Sequence, residues 1–168
     1  SGFIKGFGAG INDMQMMPVF IEHFDLDFFL VAMPYTLLDQ SPVEKVFPAC
    51  KKSEIGIIIG SPYASGILAA VAKNESTYSY APAKNEILKK VSSIEAICRK
   101  YDVPLKAASL QFPLFHPLVA SVIPGVINKV QVLENIQMIK HPIPLELWLD
   151  LKNNDFIHPE APVNVPSL

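Results

Sequence analysis

Four apolar runs, residues 3–12, 27–35, 55–66 and 118–125, divide the chain, each dense in β-branched and aromatic residues and each closing on small or polar ones. Runs of that kind predict buried parallel strands, and the stretches between them are long enough for the crossover helices that parallel strands require. The intervening pattern shifts to helical spacing. Residues 17–24 place Val19, Phe20 and Phe24 on one face, and residues 41–52 do the same with Val43, Val46 and Phe47. Ser41 is the expected N-cap of that second helix, with Pro42 at its first position and Glu44 completing a capping box. The longest amphipathic stripe runs over 85–101 through Leu88, Val91, Ile94, Ile97 and Tyr101, with Lys89, Lys90, Glu95, Arg99 and Lys100 mostly opposite. Further helices are expected over 106–112, 129–140 and 145–153, and Pro113 and Pro117 stop the first of these before the last strand. The polar segment 73–84 is longer than most connections and is a candidate lid. The proline-rich stretch 158–168 is expected to lie over the surface as a C-terminus.

Composition narrows the class. The 168 residues fit one domain, 1–168. Half the residues are hydrophobic and the mean hydropathy is +0.29, high for a soluble chain and in keeping with strands buried on both faces. A net charge of −2 with both signs dispersed argues against nucleic acid and against an anionic membrane surface. No apolar run reaches the length of a membrane span, and no signal peptide precedes the first strand, so a cytoplasmic setting is expected. Cys50 and Cys98 lie far apart and read as buried, inert thiols, with neither a metal site nor a disulfide implied. The four histidines are scattered and read as loop or surface residues; His116, His141 and His158 each sit beside a proline.

Chemistry concentrates at two strand ends. In Ile59-Gly60-Ser61-Pro62-Tyr63-Ala64-Ser65-Gly66 the strand stops at Gly60, and small residues then allow close approach of something flat or phosphorylated. In Ile123-Pro124-Gly125-Val126-Ile127-Asn128 a strand runs into a helix that Asn128 caps, with Gln131 three residues on as its capping-box partner. The free N–H groups of such a helix start suit an anion. An ordinary strand, turn and helix explains the same spacing equally well.

These stretches resemble the C-terminal half of the aldo-keto reductases, in the branch of D-threo-aldose 1-dehydrogenases, L-fucose dehydrogenases and pyridoxal 4-dehydrogenases. The likeness rests on Gly8-Ala9-Gly10-Ile11-Asn12, Tyr35-Thr36-Leu37-Leu38-Asp39-Gln40-Ser41, Gly60-Ser61-Pro62, Ser65-Gly66-Ile67-Leu68, Ala108-Ser109-Leu110-Gln111-Phe112-Pro113, Ile123-Pro124-Gly125 and His158-Pro159-Glu160-Ala161-Pro162-Val163. It implies an α/β fold, half of a (β/α)8 TIM barrel, with the four runs as strands five to eight. It also implies an oxidoreductase that moves hydride between a nicotinamide dinucleotide and a polyol sugar or pyridoxal.

The resemblance assigns Asn12 to the nicotinamide carboxamide and the loop of Gly60, Ser61, Pro62, Ser65 and Gly66, with Gly125, to the pyrophosphate. Gln131, Glu134 and Asn135 fall to the adenosine end. Gly60 stands where many relatives stack an aromatic on the nicotinamide, so Tyr35 or Tyr63 is expected to cover the ring and to face substrate. Ala32 replaces a common glutamine, and Gln131 stands where NADP-using relatives carry Lys or Arg. With Lys129 as the only nearby cation, a 2′-phosphate is expected to be poorly neutralised, so NAD is favoured over NADP. The family's catalytic Asp, Tyr, Lys and His come from strands two to four, so no catalytic residue is expected on this chain, and the start at Ser fits a truncated frame. The expected partners are a small carbonyl or sugar substrate and the missing N-terminal half. Two other readings stay open: a non-catalytic half barrel that pairs with another chain or forms a homodimer, and an independent doubly wound domain that binds a nucleotide at a switch point.

Overall fold

A computed structural model describes residues 2–69, 77–79 and 81–163. Strands β1 (Gly8–Gly10), β2 (Phe28–Ala32), β3 (Gly56–Gly60) and β6 (Val119–Ile123) form one parallel sheet in the order β1-β2-β3-β6. Each strand neighbours the next in sequence, so the sheet has no point where strand order reverses, and the doubly wound alternative falls. Helices α1 (Met17–His23), α2 (Pro42–Lys45), α3 (Phe47–Lys52), α4 (Asn85–Lys100), α5 (Leu105–Gln111), α6 (Lys129–Lys140) and α7 (Leu145–Asn153) supply the crossovers and the closing helix. The short pair β4 (Thr77–Tyr78) and β5 (Ala81–Pro82) is antiparallel and stands apart from the main sheet. Part of the expected lid, 73–76 and 80, and the last residues of the expected surface tail, 164–168, lie outside the described residues.

The strands bury one face, not two. Phe29 and Val31 of β2 and Ile57 and Ile59 of β3 join a core with Val91 and Ile94 of α4, Ala107 and Leu110 of α5, and Leu147 and Leu151 of α7. Their alternates Phe28, Leu30 and Ile58 are only half-buried, because no second layer covers that side of the sheet. Such alternation is what a curved sheet with helices on its outer face produces. Four parallel strands in sequential order, with their helices outside, make half of a (β/α)8 barrel.

Local chemistry explains where the elements depart from the pattern. The run 3–12 yields only three ladder residues, Gly8–Gly10; upstream of them, Phe7 N–H bonds the Asp27 side chain at 2.8 Å. The helix expected over 41–52 is broken at Val46, because Pro48 has no N–H to give to the carbonyl of Glu44. Ser41 does not cap it: its own backbone is helical, its side chain makes no cap bond, and its N–H bonds Asp39 Oδ1 at 2.9 Å. Both cysteines are buried, and burial pushes the Cys50 thiol to about 11 and the Cys98 thiol to about 12. His116 lies in a loop, as expected, but half-buried. Its ring packs between Tyr35 and Phe47, its Nδ1 accepts the Leu118 N–H at 3.2 Å, and burial with Lys51 nearby lowers it to about 4.

Candidate dinucleotide site

The C-terminal ends of the strands are tied into one rim. Ala32, Gly60 and Ile123 lie side by side in the registers of β2, β3 and β6. Beyond them the chain keeps bonding across: Met33 N–H to Gly60 O at 3.1 Å and Ser61 N–H to Ile123 O at 3.2 Å. Asn12 joins the same rim from β1, its Oδ1 accepting the Ala32 N–H at 3.0 Å.

After Gly60 the backbone enters a tight left-handed turn. Ser61, Ala64 and Ser65 have φ of 53°, 48° and 61°, and Gly66 has φ of 89°. Only glycine adopts that region without strain, so three strained residues in one loop mark a conformation held by its surroundings. The holding bonds are visible: Ser65 N–H reaches Ser61 Oγ at 3.4 Å, and Ser65 Oγ donates to Met33 Sδ at 3.1 Å. A side chain at Gly66 or Gly125 would meet nothing within 4 Å, so both glycines border open space.

That space is a cavity of about 300 Å3 lined by Ser61, Tyr63, Ser65, Gly66, Lys106 and residues of the β6–α6 turn and α6, namely Gly125, Gln131 and Asn135. Six of the residues expected to hold the cofactor therefore converge: Ser61, Ser65, Gly66, Gly125, Gln131 and Asn135. Pro62 is buried beneath the turn, and Gly60 ends β3 on the rim. Glu134 borders the adjoining groove and pairs with Lys106 at 2.6 Å. Asn12 stands on the rim with a bond to Ala32 and does not line the cavity.

The start of α6 is built largely as its sequence suggests. Asn128 Oδ1 accepts the Gln131 N–H at 3.0 Å. Gln131 reaches back, but to the Ile127 N–H at 3.0 Å and not to that of Asn128, so the box closes one residue earlier. The N–H groups of Lys129 and Val130 have no intrahelical acceptor, as in the first turn of any helix.

Two expected roles fail on geometry. Tyr35 is fully buried, stacked on Phe112 at 5.3 Å and against Phe47 at 4.9 Å, so it cannot cover a nicotinamide or touch substrate. Tyr63 is 6% exposed and its hydroxyl is spent on Asn135 Oδ1 at 2.7 Å, which places it in the wall of the cavity between the Gly60 loop and α6 and not over a ring at the rim. Burial and then the Glu134 charge raise the Tyr63 phenol above its ordinary range, so it stays a hydrogen donor. Lys106 is the residue that sequence reasoning missed. It comes from α5, its ammonium lies 5.4 Å from the Tyr63 ring centroid, and its side chain is 13% exposed. A lysine on a helix that otherwise reads as core, followed directly by two alanines and a serine that are buried, gives no signal in one dimension. Lys129 is thus not the sole cation near the site, although Lys106 is already neutralised by Glu134.

Among the described residues there is no cluster of three metal-ligating side chains and no helix long and apolar enough to cross a membrane. Residues 1–153 match the model of the Aldo/keto reductase family. The chain is 38% identical over 157 residues to a pyridoxal 4-dehydrogenase of Microbacterium luteolum, covering 94% of this chain and 46% of that protein. It is 37% identical over 151 residues to a D-threo-aldose 1-dehydrogenase of a Pseudomonas species, covering 89% and 46%. The structure superimposes on an aldo-keto reductase of Bacillus halodurans in its holo form with a TM-score of 0.69 at 21% identity, covering 90% of this chain and 50% of the other. The chain spans about half the length of the curated relatives it matches.

Proposed function

The chain belongs to the aldo/keto reductase family, and from that premise we propose that it forms the cofactor-binding half of an NAD(P)-dependent oxidoreductase acting on an aldose or on pyridoxal. The observation that carries this reading is the convergence of Ser61, Ser65, Gly66, Gly125, Gln131 and Asn135 on one cavity at the C-terminal rim, although they come from two segments far apart in sequence. The donor set suits a dinucleotide. Hydroxyls, open glycines and the unpaired N–H groups of α6 fit a pyrophosphate, and the amide and carboxylate of Asn135 and Glu134 fit a purine.

Asn12 supports the other end. Its Oδ1 is held by the Ala32 N–H, so its amide N–H groups are left to donate to a carboxamide oxygen at the rim. The bound dinucleotide supplies hydride chemistry. This chain's part is to fix and orient it; we assign the proton-transferring Asp, Tyr, Lys and His to the N-terminal half of the barrel, and the setting to the cytoplasm. NAD is the preferred form in this reading, because the Lys106 ammonium is committed to Glu134 and leaves a 2′-phosphate little uncompensated positive charge.

Fluorescence titration of the full-length enzyme with NADH and NADPH tests the assignment. NADH should bind more tightly, and Gln131→Arg should move the preference toward NADPH by about tenfold, equivalent to one charge-assisted hydrogen bond. An unchanged ratio sinks the charge-based preference, and absence of binding by either dinucleotide sinks the site.

A further inference from the structure

Tyr63 and Asn135 form the one direct side-chain bond described between the Gly60 loop and α6, 72 residues apart. Both are almost fully buried, at 6% and 7% exposure, and both line the cavity. The direction of this bond has a chemical consequence. The phenol donates and Asn135 Oδ1 accepts, so the carbonyl side of the amide is consumed within the protein and only the Nδ2 hydrogens remain to face a ligand. Tyr63 is itself held: Lys106 lies 5.4 Å from its ring centroid, and Lys106 in turn pairs with Glu134 at 2.6 Å. The four side chains form a chain of contacts Asn135, Tyr63, Lys106, Glu134 with an amide donor lining the cavity at one end and a carboxylate acceptor bordering the adjoining groove at the other.

Resting on the dinucleotide reading above, we infer that Tyr63 is a positioning residue that locks Asn135 as a donor-only group and thereby makes the base site selective for adenine. Adenine offers a ring-nitrogen acceptor beside an amino donor, the complement of an amide donor beside a carboxylate. Hypoxanthine, which carries an oxygen in place of the amino group and a hydrogen on the neighbouring ring nitrogen, inverts that pattern. A locked amide cannot adjust to the inverted edge. A free amide can, by turning end for end. Discrimination against a misplaced polar group is strongest where the site's own groups would be left unpaired, and here the Asn135 amide is only 7% exposed in the cavity wall.

The test compares dissociation constants for NADH and reduced nicotinamide hypoxanthine dinucleotide in the full-length enzyme. The wild type should prefer the adenine form by about tenfold or more, the equivalent of one hydrogen bond to a charged group. Tyr63→Phe keeps the ring and its contact with Lys106 and frees the amide, so the preference should shrink to about threefold or less while NADH still binds. Asn135→Asp, which offers the phenol the same acceptor but turns the ligand-facing donor into an acceptor, should abolish the preference, since each base edge then makes one matched and one mismatched contact. A loosened but otherwise structural contact would weaken both dinucleotides equally. An unchanged ratio in both variants, with NADH bound, overturns the role of Tyr63 and leaves the dinucleotide site standing; failure of the wild type to bind NADH overturns both.

Discussion

At the scale of single residues, the packing around Tyr35 shows how far local identity is from local role. Tyr35 ends an apolar run where a barrel site is expected, yet its φ of 68° turns it back into the core, among Phe47, Phe112 and His116. Its hydroxyl has no hydrogen-bond partner among the described residues, and burial pushes its ionisation well above the ordinary phenol range. His116 shares that cluster and gives it a pH dependence. Its folded value of about 4 lies below the ordinary 6.5, with burial the main cause and the Lys51 charge second. The unfolded chain therefore binds a proton at a pH where the folded one does not. Stability from this group is fully present above about pH 6.5 and is lost as pH falls toward about 4. The loss is of order 2 kcal/mol, allowing for solvent that reaches the ring edge. His116→Asn keeps an acceptor for the Leu118 N–H and removes the titration. Urea unfolding across pH 6.5 to 4 should show a shallower decline for the variant than for the wild type. Parallel curves would show that the His116 proton is not linked to folding.

At the scale of elements, what was legible in the sequence is what neighbouring residues decide. The periodicity of α4 and the Asn128 start of α6 depend on residues within a turn or two, and both stand as the pattern implies. Two failures are local: Ser41 makes no cap bond because its own backbone is already helical, and the second half of that helix separates because of Pro48. The extent of β1 is shorter than its apolar run implies, its pairing with β2 covering only Gly8–Gly10. At the site, the small residues of the β3 loop were legible as a place of close approach, but the left-handed backbone at Ser61, Ala64 and Ser65 was not. Lys106 was not, since its partners Tyr63 and Glu134 come from two other segments. The Asn128 cap makes this scale testable. Asn128→Ala removes the acceptor of the Gln131 N–H, and the loss should lower stability by about 1 kcal/mol in urea unfolding. Because Gln131 is held to Ile127 by its own side chain, the turn at Gly125 should loosen as well, seen as faster amide exchange at 127–131. A variant as stable as wild type, with unchanged exchange, would show that the helix start is fixed by packing alone.

At the scale of the whole molecule, the sheet has two open edges and one uncovered face. The outer edge of β1 and the outer edge of β6 each carry unpaired backbone groups, and β6 exposes Ala120, Ser121 and Ile123. Large apolar side chains crowd near both edges: Phe3, Ile4 and Phe7 before β1, and Ile127 and Val130 after β6. A flat edge flanked by exposed apolar residues is a template for further strands. Four strands are half of what an eight-stranded ring needs, so either an N-terminal half or a second copy can satisfy both edges at once. In the second case β6 of each protomer would meet β1 of its partner, and twofold symmetry would close the ring with two identical contacts. The two outcomes separate experimentally. Produced alone, the 168-residue chain should sediment as a dimer or larger species. Co-expressed with the N-terminal half of its own reading frame or of its pyridoxal 4-dehydrogenase relative, it should be drawn into a one-to-one particle of full-barrel mass, because that half offers the same edges together with the side chains that fill the barrel interior. A chain that remains monomeric in both experiments would overturn the pairing of the β1 and β6 edges, and the complementing half would lose its place in the proposed enzyme.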